Sequence, residues 1–328
     1  MGGDPERFFS LLEDVAMNLR HATWAALAAT VLLTGDGRGE TAKRIAGIGP
    51  VGAIVRVQTG FQFTEGPAAD RHGNLYFTDI PNNRIHKLDA AGTLSVFREP
   101  SGHANGLMVN GRGQIVACEM DGRVHAINPD GTPAEILAET FGGRRFNAPN
   151  DLVIDRAGGI YFTDPKYRAP EPYPQGTLAF YYRAPDGKIT RLDKDLSNPN
   201  GIILSPDEKT LYVIPSTQEE MLAYAVTSPG KLGPRRVFCR VKQRAGKSGG
   251  GGDGLTVDTK ENLYVTTELG VQVFDPKGEL LGVIEFPEQP ANCTFGGKDR
   301  KTLYATCRTS LYAAPMEAVG HVFPAGGK

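Results

Sequence analysis

Between residues 60 and 315, short apolar runs alternate with clusters of Gly, Pro, Asn and Asp, the pattern of half-buried strands separated by tight turns. Six of these runs are alike: Leu75-Tyr-Phe-Thr, Ile115-Val-Ala-Cys, Ile160-Tyr-Phe-Thr, Leu211-Tyr-Val-Ile, Leu263-Tyr-Val-Thr and Leu303-Tyr-Ala-Thr. Their starts lie 40, 45, 51, 52 and 40 residues apart. Ten or eleven residues ahead of each stands a polar signature: Glu65-Gly66-Pro67, Asn105-Gly106, Pro149-Asn150-Asp151, Pro199-Asn200-Gly201, Gly252-Asp253-Gly254 and Ala291-Asn292-Cys293. A repeat of roughly 40–50 residues holding several strands predicts a β-propeller. The fold class read from the chain is therefore all-β, a six-bladed β-propeller with four-stranded antiparallel blades. A β-sandwich would explain the strands but not the constant offset between signature and strand.

One blade can be followed in full. Glu65–Ala69 enters as the first strand, His72-Gly73-Asn74 turns the chain, and Leu75–Thr78 forms the second strand. Pro81-Asn82-Asn83 turns it again, Arg84–Asp89 is the third strand and Thr93–Phe97 the fourth. The last repeat runs out after three strands, ending at Ser310–Ala314, while Ala53–Gln58 precedes the first signature with no blade of its own. Open sheet edges invite association, so the sequence predicts closure by Ala53–Gln58 as the outer strand of the sixth blade.

Composition narrows the partners. The chain has 328 residues, 41 Gly, 23 Pro and 40% hydrophobic residues, ample for one large turn-rich domain. With 36 basic against 37 acidic residues and no long basic run, nucleic acid is not an expected partner. Cys118, Cys239, Cys293 and Cys307 lack the close spacing of a zinc or redox pair and read as small buried hydrophobes. A monomer or dimer is expected.

Residues 1–50 stand outside the repeat as an N-terminal extension, 51–315 form the propeller, and 316–328 form a C-terminal tail. The apolar run Ala22–Thr34, after Arg20 and His21 and before Gly35-Asp36-Gly37-Arg38, is too short for a bilayer span and has the layout of a secretory signal. Cleavage between about Gly35 and Lys43 and an exported, periplasmic or secreted, chain with no membrane span are expected. The alternative is an N-terminal helix packing Phe8, Phe9, Leu11 and Leu12 on the domain of a cytoplasmic protein.

In a propeller the first strand of each blade lines the central channel, so Glu65, Asn105, Asn150, Asn200, Asp253 and Asn292 are expected around one mouth. Singly, Asn or Asp beside Gly is an ordinary turn residue. Together, two carboxylates and several carboxamides without His or Cys make an oxygen donor set. It suits a hard divalent cation, Ca²⁺ before Mg²⁺ or Mn²⁺, and Zn²⁺ least. Other mouth candidates are His103, close before Asn105, and Tyr167, in the Pro-rich stretch Pro165–Gly176. Asp79 and Asp164 end Phe-Thr-Asp repeats and read as turn or capping residues.

On these segments the chain resembles the calcium-dependent propeller lactonases, the gluconolactonase, senescence-marker (regucalcin) and luciferin-regenerating group, over about Ile54–Pro315. The motifs are Phe63-Thr64-Glu65-Gly66-Pro67, Asn147-Ala148-Pro149-Asn150-Asp151, Pro199-Asn200-Gly201 and Gly252-Asp253-Gly254-Leu255. The resemblance implies that Glu65, Asn200 and Asp253 ligate a metal, with Asn150 a fourth ligand or a substrate contact. It further implies a substrate-binding Arg145, though the spacing from Arg145 to Asn150 is longer than in the animal proteins. Asn105, His103 and Tyr167 complete the expected substrate contacts. The implied activity is hydrolysis of a small-molecule lactone, with Asp253 as base or as orienter of the attacking water. A related esterase or phosphotriesterase, or a non-catalytic propeller with a structural ion, remains as an alternative.

Overall fold

The computed structural model describes residues 43–324, and the proposed signal segment lies outside them. Six four-stranded antiparallel sheets follow one another along the chain as six blades. Their innermost strands are Thr64–Ala69, Ala104–Val109, Leu152–Ile154, Pro199–Leu204, Leu255–Val257 and Pro290–Gly296. Each apolar run identified in the sequence forms the second strand of its blade, as in Leu75–Asp79 and Ile160–Asp164. No helix among the described residues is long and apolar enough to cross a membrane.

The ring closes on the N-terminal side as the unpaired strand demanded, with a shift in its bounds. The closing strand is Val55–Thr59 rather than Ala53–Gln58, and it pairs antiparallel with Ser310–Pro315. A register irregularity between Arg56 and Gln58 moves the strand toward the following loop, where Gly60 and Phe61 also donate backbone bonds to Thr309. Blade 6 thus takes its outer strand from the opposite end of the chain.

Blades are held together by side chains that cross between them. The second-strand tyrosines are nearly all buried: Tyr161 accepts a hydrogen bond from Gly230 N in blade 4 at 2.9 Å, and Tyr264 meets Phe295 of blade 6 edge-on at 4.9 Å. A second link is made by second-strand threonines of alternate blades. The hydroxyls of Thr78, Thr163 and Thr266, all fully buried, donate to the carbonyls of Asn105, Asn200 and Ala291 in the next blade, at 3.1, 2.8 and 2.7 Å. Blades 1, 3 and 5 are therefore pinned to blades 2, 4 and 6 at the level of the signatures.

The Phe-Thr-Asp aspartates act as caps on the loops entering the inner strands. Asp79 accepts from the backbone of Gln62 and Phe63, and Asp164 from Asn147 and Ala148 at 2.9 and 2.8 Å. Glu119 holds the corresponding place in blade 2 and instead bonds His125 and Arg123.

The segment after the last strand, read as a tail, crosses the end of the channel away from the signatures. Met316 and Ala318 are buried, Gly320 pairs with Asp258, and His321, Val322 and Phe323 line a cavity of about 80 Å³ with Met108, Ile203 and Phe295. The C-terminal segment thus lies across the channel end opposite the signatures, held there by His321 N donating to Val257 O at 3.0 Å.

Closure by the N-terminal strand generates a direct expectation. A chain beginning at Gly60 exposes the edge of Ser310–Pro315 and should aggregate or melt several degrees lower than the parent. An unchanged melting temperature in a soluble truncated protein would contradict it.

Candidate metal centre and active site

The signatures are not turns. In four blades they sit at irregularities of the pairing between first and second strands, at Glu65/Ala68, Ala104/Leu107, Pro199/Ile202 and Pro290/Asn292. In blades 3 and 5 the regular inner strand begins only after the signature, at Leu152 and Leu255. A bulge re-aims side chains that strict alternation would bury in the sheet, and here it turns them toward the axis.

Their glycines allow neighbouring blades to close together. A β-carbon on Gly66, whose φ is +47°, would overlap the Asn105 carbonyl oxygen. One on Gly254 would overlap the Asn292 carboxamide. Backbone bonds seal the contact: Gly106 N donates to Asn150 O at 2.7 Å, Gly201 N to Asp253 O at 2.9 Å, and Gly254 N to Ala291 O at 2.9 Å. Blade 3 breaks the pattern, with Asp151 where the others carry glycine or, in blade 6, cysteine.

The resulting ring contains Glu65, Asn105, Asn150, Asn200 and Asn292, all buried, and Asp253, partly exposed at the mouth. Asn200 Nδ2 meets Asp253 Oδ1 at 2.5 Å. Asp151 adds a third buried carboxylate, which sequence reasoning missed in favour of its neighbour Asn150.

Burial pushes the Glu65 carboxyl well above the usual carboxylate range, and the nearby charges of Asp253 and Asp151 push it further. Burial also raises Asp151 to about 7, against hydrogen bonds from Leu152 N and Asn292 that favour its ionised form. Asp253 is raised to about 6, again by burial, with the Asn200 side chain and Arg308 pulling the other way. None of the three carboxylates forms an ion pair with a lysine or arginine among the described residues.

Converging carboxylates with no basic partner fit a cation. Among the described residues no three His, Cys, Asp or Glu side chains converge closely enough to ligate an ion by themselves. A cation at this ring would therefore depend on carboxamide oxygens as well, an all-oxygen donor set for a hard ion.

The other sequence candidates fall at different depths. The Tyr167 ring packs with Phe63, Ile80, Met120 and Ala148 on the side of blades 1–3, and its hydroxyl faces Ser216, Asn200 and Asn198. Burial raises its pKa, so it stays an O–H donor at neutral pH. Asn105 points its amide at Met120 Sδ, 3.9 Å away. His103 lies at the rim with φ +51°, its Nδ1 3.0 Å from Asp121 Oδ1.

Arg145 is drawn back into the wall of the mouth. It belongs to a small hairpin, Thr140–Phe141 with Arg144–Arg145. Its Nε and Nη2 donate to the carbonyls of Phe146 and Asn147 at 3.0 and 3.2 Å. Gln175 clamps the hairpin by donating to the carbonyls of Phe141, Arg144 and Arg145. The arginine whose charge reaches Asp253 is Arg308, in the tight turn between the second and third strands of blade 6.

The profile of the SMP-30/Gluconolactonase/LRE-like region matches residues 63–309, which is most of the chain and all six signatures. The chain belongs to this family. Among SMP-30/gluconolactonase-like relatives, the gluconolactonase of Zymomonas mobilis is 32% identical over 337 aligned positions, covering 90% of this chain and 94% of its own. A solved gluconolactonase from Xanthomonas campestris superposes with a TM-score of 0.74 at 31% identity, covering 80% of this chain and 89% of its own. The diisopropyl-fluorophosphatase of Loligo vulgaris is 26% identical, over 74% of this chain and 84% of its own.

The titration of the ring fixes a sign. All three carboxyls have folded pKa values above their ordinary ones, so their protonated forms stabilise the fold. For Asp253 and Asp151 that contribution is complete below about pH 4 and is lost as pH rises through about 6 to 7, and Glu65 adds to it in the same direction. Thermal melts of chelated protein should therefore show these groups costing stability between pH 5 and about 7.5. Added calcium should raise the melting temperature more at about pH 7.5 than at pH 5. An equal or larger calcium response at pH 5 would contradict a cation held by these carboxylates.

Proposed function

We propose that the protein is a gluconolactonase-like lactone hydrolase that opens a sugar lactone, such as an aldonolactone, with a divalent cation, calcium, at the ring. The observation that carries this reading is that Glu65, Asp151 and Asp253, from three different blades, lie close enough to feel one another's charge, with no lysine or arginine ion-paired to them among the described residues. Glu65, Asn150, Asn200 and Asp253 would hold the cation. When bound, it would supply a positive charge that polarises the lactone carbonyl and lowers the pKa of water.

Asp253 is the least buried of the three carboxylates, and although a carboxylate beside a cation is a weak base, the same cation would acidify the water whose proton Asp253 takes. In the overall reaction water adds to the acyl carbon and the ring C–O bond breaks. One water proton ends on the ring oxygen, giving a hydroxy acid that ionises to its carboxylate. Asp253 accepts the water proton, and the short contact with Asn200 orients its carboxylate. The Tyr167 hydroxyl, protonated at working pH, is placed to donate to substrate oxygens. Asn105, Arg145 and His103 shape the wall and rim rather than touching the reacting bond.

Phosphotriester hydrolysis is a second reading, favoured by the likeness to the Loligo vulgaris enzyme. The two differ in substrate and share the same ring. Export of the mature domain is also proposed, from the apolar run at residues 22–34, and the mass of the native protein reports whether that run has been removed.

Kinetics on a panel of lactones and phosphotriesters separate these readings. Asp253→Asn should lower lactone kcat by at least ~10²-fold, the lower end of general-base contributions. Glu65→Gln should raise the calcium concentration needed for half-maximal rate. Chelation should abolish turnover and calcium restore it. Full turnover after thorough chelation, or a near-normal rate for Asp253→Asn, would refute the mechanism.

A further inference from the structure

Arg308 is held in place by three separate contacts and offers an unused guanidinium to the mouth. Its backbone lies in the left-handed region, φ +47°, which costs a non-glycine residue free energy and persists only where the surroundings enforce it. The enforcement is visible. Its carbonyl accepts from Thr64 N at 2.7 Å and Thr64 Oγ1 at 3.2 Å, tying the turn to the residue before Glu65. Its guanidinium stacks on Phe63, 5.4 Å from the ring centroid, and its Nη2 donates to Gln289 Oε1 at 2.7 Å.

The guanidinium has no carboxylate partner within ion-pair distance among the described residues, and its Nε and Nη1 make no hydrogen bond there. The side chain is exposed, and its charge reaches Asp253 at the edge of the ring. A fixed, unpaired guanidinium beside the group that handles the attacking water is built to receive a pair of oxygens. Opening a lactone creates such a pair, the carboxylate of the hydroxy acid.

We propose that Arg308 is a substrate-binding residue whose free N–H groups grip the acyl oxygens and hold the product carboxylate. This rests on the lactone-hydrolase reading. It makes Arg308 more important for product affinity than for the neutral lactone, because a hydrogen bond to a charged group is the stronger one.

The test is inhibition of lactone hydrolysis by gluconate, together with calorimetric binding of gluconate, for the wild type, Arg308→Asn, Arg308→Lys and Gln289→Ala. Asn tolerates the left-handed backbone, and melting temperatures identify any variant that is misfolded. Arg308→Asn should weaken gluconate binding at least about tenfold, with a smaller rise in KM for the lactone. Arg308→Lys should fall between it and wild type, and Gln289→Ala should weaken gluconate binding less than Arg308→Asn does. Unchanged gluconate affinity in folded Arg308→Asn would overturn the proposal. So would a shifted pH profile of kcat with unchanged gluconate binding, which would mean that Arg308 acts only on Asp253. A wild type with no lactonase activity would instead defeat the underlying reading, and the calorimetric comparison would still report on Arg308.

Discussion

Three carboxylates brought together without a compensating positive side chain set the terms for this structure. Glu65, Asp151 and Asp253 each come from a different blade and meet because all inner strands border one channel. Burial makes each of them expensive to ionise, and their mutual repulsion adds to the cost. A fold selected only for stability would place apolar or small residues here. The ring instead carries an unfavourable charge that the proposed cation would relieve, and its binding would then be coupled to the stability of the blades carrying the ring.

The scaffold tolerates that charge because its own hydrogen bonding is settled elsewhere. Signature backbones are bonded from blade to blade by Gly106, Gly201 and Gly254, and buried threonine hydroxyls pin alternate neighbours. Asp79 and Asp164 cap the loops that enter blades 1 and 3. Ring side chains add only short local bonds to this framework, such as Glu65 accepting from Gly66 N and Asp151 from Leu152 N. The C-terminal segment lies across the opposite end of the channel.

Much of this was legible in the sequence because a repeat averages out local ambiguity. Six apolar runs at a fixed distance from six polar signatures gave blade number, strand two of every blade and the side of the channel on which the signatures gather. The orphan strand at the N-terminus pointed to closure, although a bulge shifted its bounds to Val55–Thr59. What stayed hidden depends on direction rather than spacing. Asn150 and Asp151 are adjacent, and although the signatures themselves put Asp151 where other blades carry glycine or cysteine, only the structure shows its carboxyl buried near Glu65 and Asp253. Arg145 sits near a signature in sequence yet spends its guanidinium on backbone carbonyls. Arg308 lies far from Asp253 in the chain, and its approach depends on a two-residue turn that no periodicity encodes. His103 likewise carried no signal of its partnership with Asp121.

Calorimetric titration of calcium into metal-stripped protein at about pH 7.5 tests the central claim most directly, because it reads the ring without assuming any substrate. The account requires one tight site per chain, weakened strongly in Glu65→Gln and in Asp253→Asn. Absence of binding in the wild type, or unaltered binding in both variants, would contradict it.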